Sequence, residues 1–158
     1  MKKALSFLLI TVLLFALVGC NKAKEKDFEK SGMKITLITD FAEKEHISYT
    51  AIYESTTSAV YALKEDFSNV ILSNLNSLDE YAELVILANM LEDCEIEHKD
   101  DLTYFQYEKT VNGKDFSYLA FVYEGSDAYW LIQFACEQKN ASKFEADFFK
   151  YAKSVTVE

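Results

Sequence analysis

The 158-residue chain has no proline and no arginine, and only four glycines, three cysteines and two histidines. Without proline and with so little glycine it is neither collagen-like nor a low-complexity disordered chain. Every basic residue is lysine, 16 against 26 acids, for a formal net charge of −10. A surface of that sign repels phosphate backbones, which argues against nucleic acid as a partner, and it repels anionic lipid as well. Any membrane attachment has to come from something other than basic charge.

Recognisable catalytic and metal signatures are missing too. There is no G-x-S-x-G elbow around a serine. Cysteine and histidine do not recur at zinc spacing, and no EF-hand loop with its glycine is present. Cys94 or Cys136 with His98 is the one arrangement open to a Cys–His pair. Cys136 ends an apolar strand, however, and reads as a buried, inert thiol. No catalytic residue, cofactor or metal is expected on this basis.

What the chain does have is a hydrophobic half and an aromatic share of 15%. That is enough for one domain with a ring-rich core. Its first residues are different in kind. Lys2 and Lys3 precede the apolar run LSFLLITVLLFALV, Leu5 to Val18, which has the length of a signal-peptide h-region and is short for a membrane span. The run stops at Gly19-Cys20. Taken alone, Cys20 is open to use as a disulfide half, a metal ligand or an attachment point, and the segment is open to reading as an ordinary cleaved signal or an uncleaved anchor.

The sequence LVGC, Leu17-Val18-Gly19-Cys20, resembles the lipobox of bacterial lipoproteins. That resemblance implies a signal peptide over 1–19 and a diacylglycerol on Cys20, which becomes the mature N-terminus. Acyl chains stabilise attachment by about 0.8 kcal/mol per buried methylene. Losing Lys2 and Lys3 leaves 14 lysines against 26 acids, a balance of −12. The following NKAKEKD is polar and lacks apolar periodicity, so 20–28 is expected to be a flexible tether and 29–158 the folded domain.

Within that domain, alternation predicts strands at Met33 to Ile38, Ile47 to Tyr53 and Ala59 to Leu63, with a turn region over 39–46. Ser77-Leu78-Asp79-Glu80 is a capping box that opens a helix. Leu78, Tyr81, Ala82, Val85 and Ala88 form its apolar stripe, widened by Leu84, Leu87 and Leu91. Asn112-Gly113 between LTYFQYEKTV and KDFSYLAFVYE predicts a type I′ hairpin. A second reversal at Gly125-Ser126-Asp127 leads into AYWLIQFAC. Asn140 is positioned to cap a second helix, Ala141 to Ser154, and Val155-Thr156-Val157 reads as a last short strand. Two strands of the meander are apolar nearly throughout and so need cover on both faces. The expected class is α+β, a central, mainly antiparallel sheet with helices on both faces.

The block TYFQYEKTVNGKDFSYLAFVYEGSDAYWLIQFACEQKN, followed by KFEADFFKYAKSV, resembles small PsbP-like and DcrB-like lipoproteins of low-GC Gram-positive bacteria. The likeness extends over roughly residues 29–158 when the preceding strand order is counted. It implies an α/β/α sandwich, the fold of the extrinsic photosystem II subunit PsbP and of a nuclear-import factor that binds the GTPase Ran. No functional residue carries over with it, because one fold hosts unrelated functions.

Three features bear on binding. In LEDCEIEHKDD, residues 91–101, the carboxylates Glu97, Asp100 and Asp101 form a weak calcium candidate, against a plain solvated acidic loop. Cys94 and Cys136 are expected as free thiols, since a plain meander separates them by about three strand spacings, roughly 14 Å. Tyr104, Tyr107, Tyr118, Tyr123, Tyr129 and Trp130 crowd the meander, as core and cross-strand pairs or as a ring-lined groove. Alternation puts Trp130, Ile132, Phe134 and Cys136 on one face and Tyr129, Leu131, Gln133 and Ala135 on the other. The Tyr129 and Gln133 side is expected to be the more exposed and to hold any partner surface. The overall expectation is a lipid-anchored extracytoplasmic lipoprotein that binds an envelope protein. The alternative is a binder of a small ligand or cation at the tyrosine-rich sheet or the 95–101 loop.

Overall fold

The structure is a computed structural model that describes residues 23–69, 72–91 and 93–158. The proposed signal peptide and Cys20, with the apolar helix expected of that segment, lie outside the described residues. Two antiparallel sheets form where one was expected. The smaller has the order β1 (Glu25–Lys30), β2 (Met33–Ile38), β10 (Thr156–Val157). The larger runs β3 (Ala42–Lys44), β4 (Ala51–Glu54), β5 (Ser58–Asp66), β9 (Ala128–Glu137), β8 (Lys114–Glu124), β7 (Leu102–Val111), β6 (Ile96–Lys99). Helices α1 (Leu78–Ala88) and α2 (Ala141–Lys153) complete the fold.

The tether assignment needs correction: residues 25–28 are strand. β1 pairs with β2 over six positions, from Glu25 opposite Ile38 to Lys30 opposite Met33. Its one apolar side chain, Phe28, is buried against Tyr53, ring centroids 4.8 Å apart. Its charges are matched across the hairpin, Asp27 to Lys34 at 2.8 Å, and to α2, Glu25 to Lys150 at 2.5 Å. The Lys34 hydrogen bond holds the Asp27 carboxyl below its ordinary pKa.

Three two-residue hairpins set register, each with both residues at positive φ: Ser31-Gly32 (53°, 90°), Asp100-Asp101 (52°, 63°) and Asn112-Gly113 (51°, 77°). This is type I′ geometry, whose twist matches the flanking strands. Asp and Asn tolerate it because a short polar side chain makes left-handed backbone affordable.

The apolar side chains divide into two clusters. In the first, Trp130, Ile132, Phe134 and Cys136 of β9 and Phe121 of β8 meet Phe148, Phe149, Tyr151 and Ala152 of α2, with Ile35 and Leu37 of β2. In the second, Tyr129 and Leu131 of β9, Ala120 and Val122 of β8 and Phe105 of β7 meet Tyr81, Ala82 and Val85 of α1. The expected alternation along β9 is therefore seen, and both of its faces are covered over part of their length. The helix ends differ from each other. Ser77 accepts a hydrogen bond from the Glu80 N–H at 3.2 Å, as its sequence predicts, and the Glu80 carboxylate turns back to the Asn76 N–H at 2.7 Å. Asn140 stands at the N-cap of α2, but its side chain makes no capping bond, because a 3-10 turn over Gln138–Asn140 leads into the helix.

The stripe of α1 is narrower than expected. Ala88 and Leu87 are exposed, Leu87 to 76%, and Leu84 is half-buried. The helix closes in a Schellman motif, with Leu91 N–H donating to Ile86 C=O and Met90 N–H to Leu87 C=O, both at 3.1 Å. Met90 takes the left-handed position, φ 51°, where glycine is preferred, and its side chain is 86% exposed. Met90→Gly is therefore expected to stabilise the domain by about 1 kcal/mol, read as a higher urea midpoint with unchanged slope.

Candidate functional site

The second face of the large sheet is only half covered by α1. In one cross-strand row, Tyr61 stands opposite Gln133, which stands opposite Ala120 and then Phe105. In the next row toward the Asn112-Gly113 hairpin, Ala59 faces Ala135, then Tyr118, then Tyr107. Helix α1 takes Phe105 and Ala120 into its cluster, while Tyr61, Gln133, Tyr107 and Tyr118 stay half-buried. Tyr107 and Tyr118 stack with centroids 4.7 Å apart and planes 2° from parallel. Tyr49 leans on Tyr61 at 5.1 Å. The Tyr107 hydroxyl donates to the Gln133 side-chain oxygen. Burial raises the pKa of Tyr61, Tyr107 and Tyr118, so these hydroxyls are neutral hydrogen-bonding groups.

Beside this patch lies an open groove of about 510 Å³ lined by Glu54, Tyr61, Phe116, Tyr118, Ala135 and Glu137, with the Ser55–Ser58 turn at one end. That turn is fixed by Ser55, whose hydroxyl oxygen accepts from the N–H groups of Ser58 at 3.0 Å and Thr57 at 3.3 Å. Lys139 pairs with Glu137 at 2.5 Å. The groove thus offers aromatic faces, hydroxyls and carboxylates on a rigid strand floor.

Of the two residues expected on this surface, one is there. Gln133 joins the tyrosine patch. Tyr129 does not: it is only 3% exposed, stacked under Tyr81 of α1 at 4.6 Å and edge-on to Phe67 at 4.9 Å. The face they share splits into a part under the helix and a part in the open. Tyr49 and Tyr61 escaped the sequence reading because β5 borders β9, a neighbour remote in the chain. Of the other meander rings, Tyr104 and Trp130 are core. Tyr123 donates to Ala152 C=O at 2.8 Å.

The acidic segment is not gathered into a site. The Glu97 carboxylate accepts from Tyr104 OH at 2.9 Å and Gln106 Nε2 at 3.0 Å. Asp100 pairs with Lys153 at 2.8 Å, which lowers its pKa, and Asp101 is the second turn residue. Among the described residues no group of three or more His, Cys, Asp or Glu side chains converges on a common point. His98 links β6 to its neighbours, Nε2 at 3.3 Å from Asp79 of α1 and Nδ1 at 3.3 Å from Thr103 of β7. Cys94 and Cys136 are free thiols on opposite faces, packed with the second and first clusters respectively. Burial raises both thiol pKa values, leaving them poor nucleophiles at neutral pH.

No protein-family model matches the chain, and no curated protein matches it significantly. Solved structures do. The chain is similar to cyanobacterial PsbP (CyanoP) from Synechocystis sp. PCC 6803, TM-score 0.58 at 12% identity, over 92% of this chain and 99% of that one. It is also similar to a protein from Bacteroides thetaiotaomicron VPI-5482, TM-score 0.55 at 9% identity, over 84% of this chain and 48% of that one. At such identities the likeness is one of architecture alone. Antiparallel sheets, two helices and the coverage of nearly all of CyanoP give this chain a PsbP-like fold.

Proposed function

We propose that the protein is a non-enzymatic, lipid-anchored binding module on the outer face of a bacterial cell membrane. It engages an envelope protein through the open tyrosine half of its large sheet. In this reading Cys20 carries the lipid, the chain is a small lipoprotein of the PsbP-like and DcrB-like kind found in low-GC Gram-positive bacteria, and the domain is a three-layer α/β/α sandwich. The observation that carries it is the half-covered sheet face, where Tyr61, Tyr107, Tyr118 and Gln133 stand beside an open groove. Half-buried tyrosines on a rigid floor bring large contact area at low entropic cost and suit a protein contact.

The test is photocrosslinking in intact cells from a probe at Lys139, with a probe at Lys143 on α2 as control. The expected result is one identified envelope protein captured at Lys139 only and lost in Tyr61→Ala/Tyr118→Ala. Equal capture from both positions overturns the reading. Cys20→Ala is expected to abolish palmitate labelling; labelling that persists in this variant would remove the lipid anchor from the proposal.

A small ligand in the same groove is the second reading, favoured by the Ser55–Ser58 hydroxyls beside the rings. A ligand at a hundred times its Kd adds about 2.7 kcal/mol of stability, so thermal-shift screening would reveal it.

A further inference from the structure

The large exposed apolar side chains at the C-terminal end of α1 and just beyond it do not stand alone. Leu87 and Met90, 76% and 86% exposed, border a groove of about 720 Å³ between α1 and β6. Ile86, Leu91, Cys94 and Ile96 supply the rest of its apolar lining. Its charged lining has a single sign, Asp79, Glu83 and Glu95, with no lysine, and its one histidine, His98, is already paired with Asp79. From Asp79 to Ala88 the helix advances about 14 Å, two and a half turns. Met90 also holds a left-handed backbone position that glycine would occupy at lower cost, and it points a large apolar side chain into solvent there.

We propose that the groove between α1 and β6 is a docking site for an amphipathic helix of a partner protein, with an apolar stripe against Leu87 and Met90 and lysine or arginine against Asp79, Glu83 and Glu95. An apolar floor with a carboxylate border is the complement of such a helix, recognised through anchors at i, i+3 or i+4, and i+7. A second copy of this chain fits poorly, since a two-fold contact would set the three carboxylates against their own copies. An anionic lipid surface is repelled by the same charges. The site lies on the part of the second sheet face where α1 sits, and the proposal stands apart from the tyrosine surface.

The experiment uses the full chain in nanodiscs of zwitterionic lipid, at physiological ionic strength. The probes are two helical peptides of roughly 18 residues, about five turns, with one leucine stripe and either lysine or glutamate elsewhere. The readout is the alkylation rate of Cys94, resolved by peptide mapping. The lysine peptide is expected to slow alkylation with saturation, and the glutamate peptide to leave it unchanged. Met90→Gly, expected to keep the fold and raise its stability, should weaken the lysine peptide about tenfold through loss of the methionine that docking would bury. Glu83→Lys/Glu95→Lys is expected to reverse the preference between the two peptides. Absence of protection overturns the proposal, as does equal protection by both peptides. Protection that grows with protein concentration in the absence of peptide assigns the groove to a second copy. Protection by anionic vesicles alone assigns it to lipid.

Discussion

Tyr81→Ala is expected to cost about 3–5 kcal/mol, the range for deleting a fully buried aromatic ring, out of the 5–15 kcal/mol that a domain this size has. Tyr81 has no exposed surface, and its ring stacks on Tyr129 at 4.6 Å with planes 14° apart. Its hydroxyl donates to the Glu65 carboxylate on β5. The other buried residues of α1 are Ala82 and Val85, both small, so the tyrosine supplies most of what the helix buries. Truncating it leaves a cavity over Tyr129 and removes a donor from Glu65. The loss should therefore be local first: faster amide exchange throughout α1 and faster Cys94 alkylation, with the α2 cluster still protected. Tyr81→Phe keeps the stack and gives up the hydrogen bond, for about 1–2 kcal/mol. Urea denaturation of the two variants separates the contributions. If they differ by less than about 1 kcal/mol, the hydroxyl and not the ring docks the helix.

The same helix shows where the sequence was legible and where it was not. Its start was legible because capping is local: Ser77 and Glu80 are three residues apart, Ser77 bonds the Glu80 N–H as the pattern requires, and Glu80 reaches back one residue further, to the Asn76 N–H. Its covered width was not. Leu78 through Leu91 offers more apolar side chains than the sheet has room to take, and periodicity does not say which of them find a partner. The β7–β8–β9 meander was legible for the reason the cap was: Asn112-Gly113 fixes two strands by short-range geometry. β1 was illegible because five of its six residues are charged, and Phe28 alone sets no period. Pairing with β2 and ion pairs to Lys34 and Lys150 make it a strand. Asp100 and Asp101, read as a solvated acidic loop or a weak cation candidate, form a two-residue turn, which their tolerance of positive φ allows. The candidate surface was half legible. Alternation placed Gln133 on the correct face, but Tyr61 comes to it only through the pairing of β5 with β9, which no local pattern encodes. Tyr129 lies on that face too, and only the position of α1 decides that it is covered.

Alkaline pH is expected to unfold the domain abruptly once it passes about 10, the ordinary phenol value. Tyr53, Tyr81, Tyr104 and Tyr151 are buried, and their hydroxyls hold their protons more tightly than in the unfolded chain. Desolvation is the largest cause for each, and the pKa reaches about 12 for Tyr53, Tyr104 and Tyr151. Tyr81 goes higher, with the Glu65 carboxylate adding to burial. The sign follows from which state binds more protons. Below pH 10 both folded and unfolded tyrosines are protonated, and the contribution is fully present. Between 10 and 12 the unfolded chain releases protons that the folded one keeps, so stability falls as pH rises. Each such group removes about 1.4 kcal/mol per pH unit, so four together remove about 5 kcal/mol per unit. Over those two units the loss reaches about 11 kcal/mol, which covers most of a total of 5–15 kcal/mol. Tyrosinate absorbance and the fluorescence of Trp130, the single tryptophan, should therefore change together in one steep step. Tyr53→Phe is a sharp check on the mechanism. The Tyr53 hydroxyl is buried with no hydrogen-bond partner among the described residues, so its removal is expected to raise stability at neutral pH by about 1 kcal/mol. It should also move the alkaline transition upward, because one proton fewer is released on unfolding. A transition that stays in place in Tyr53→Phe, or tyrosinate absorbance that rises gradually while Trp130 fluorescence holds, would mean that these rings ionise without unfolding the core.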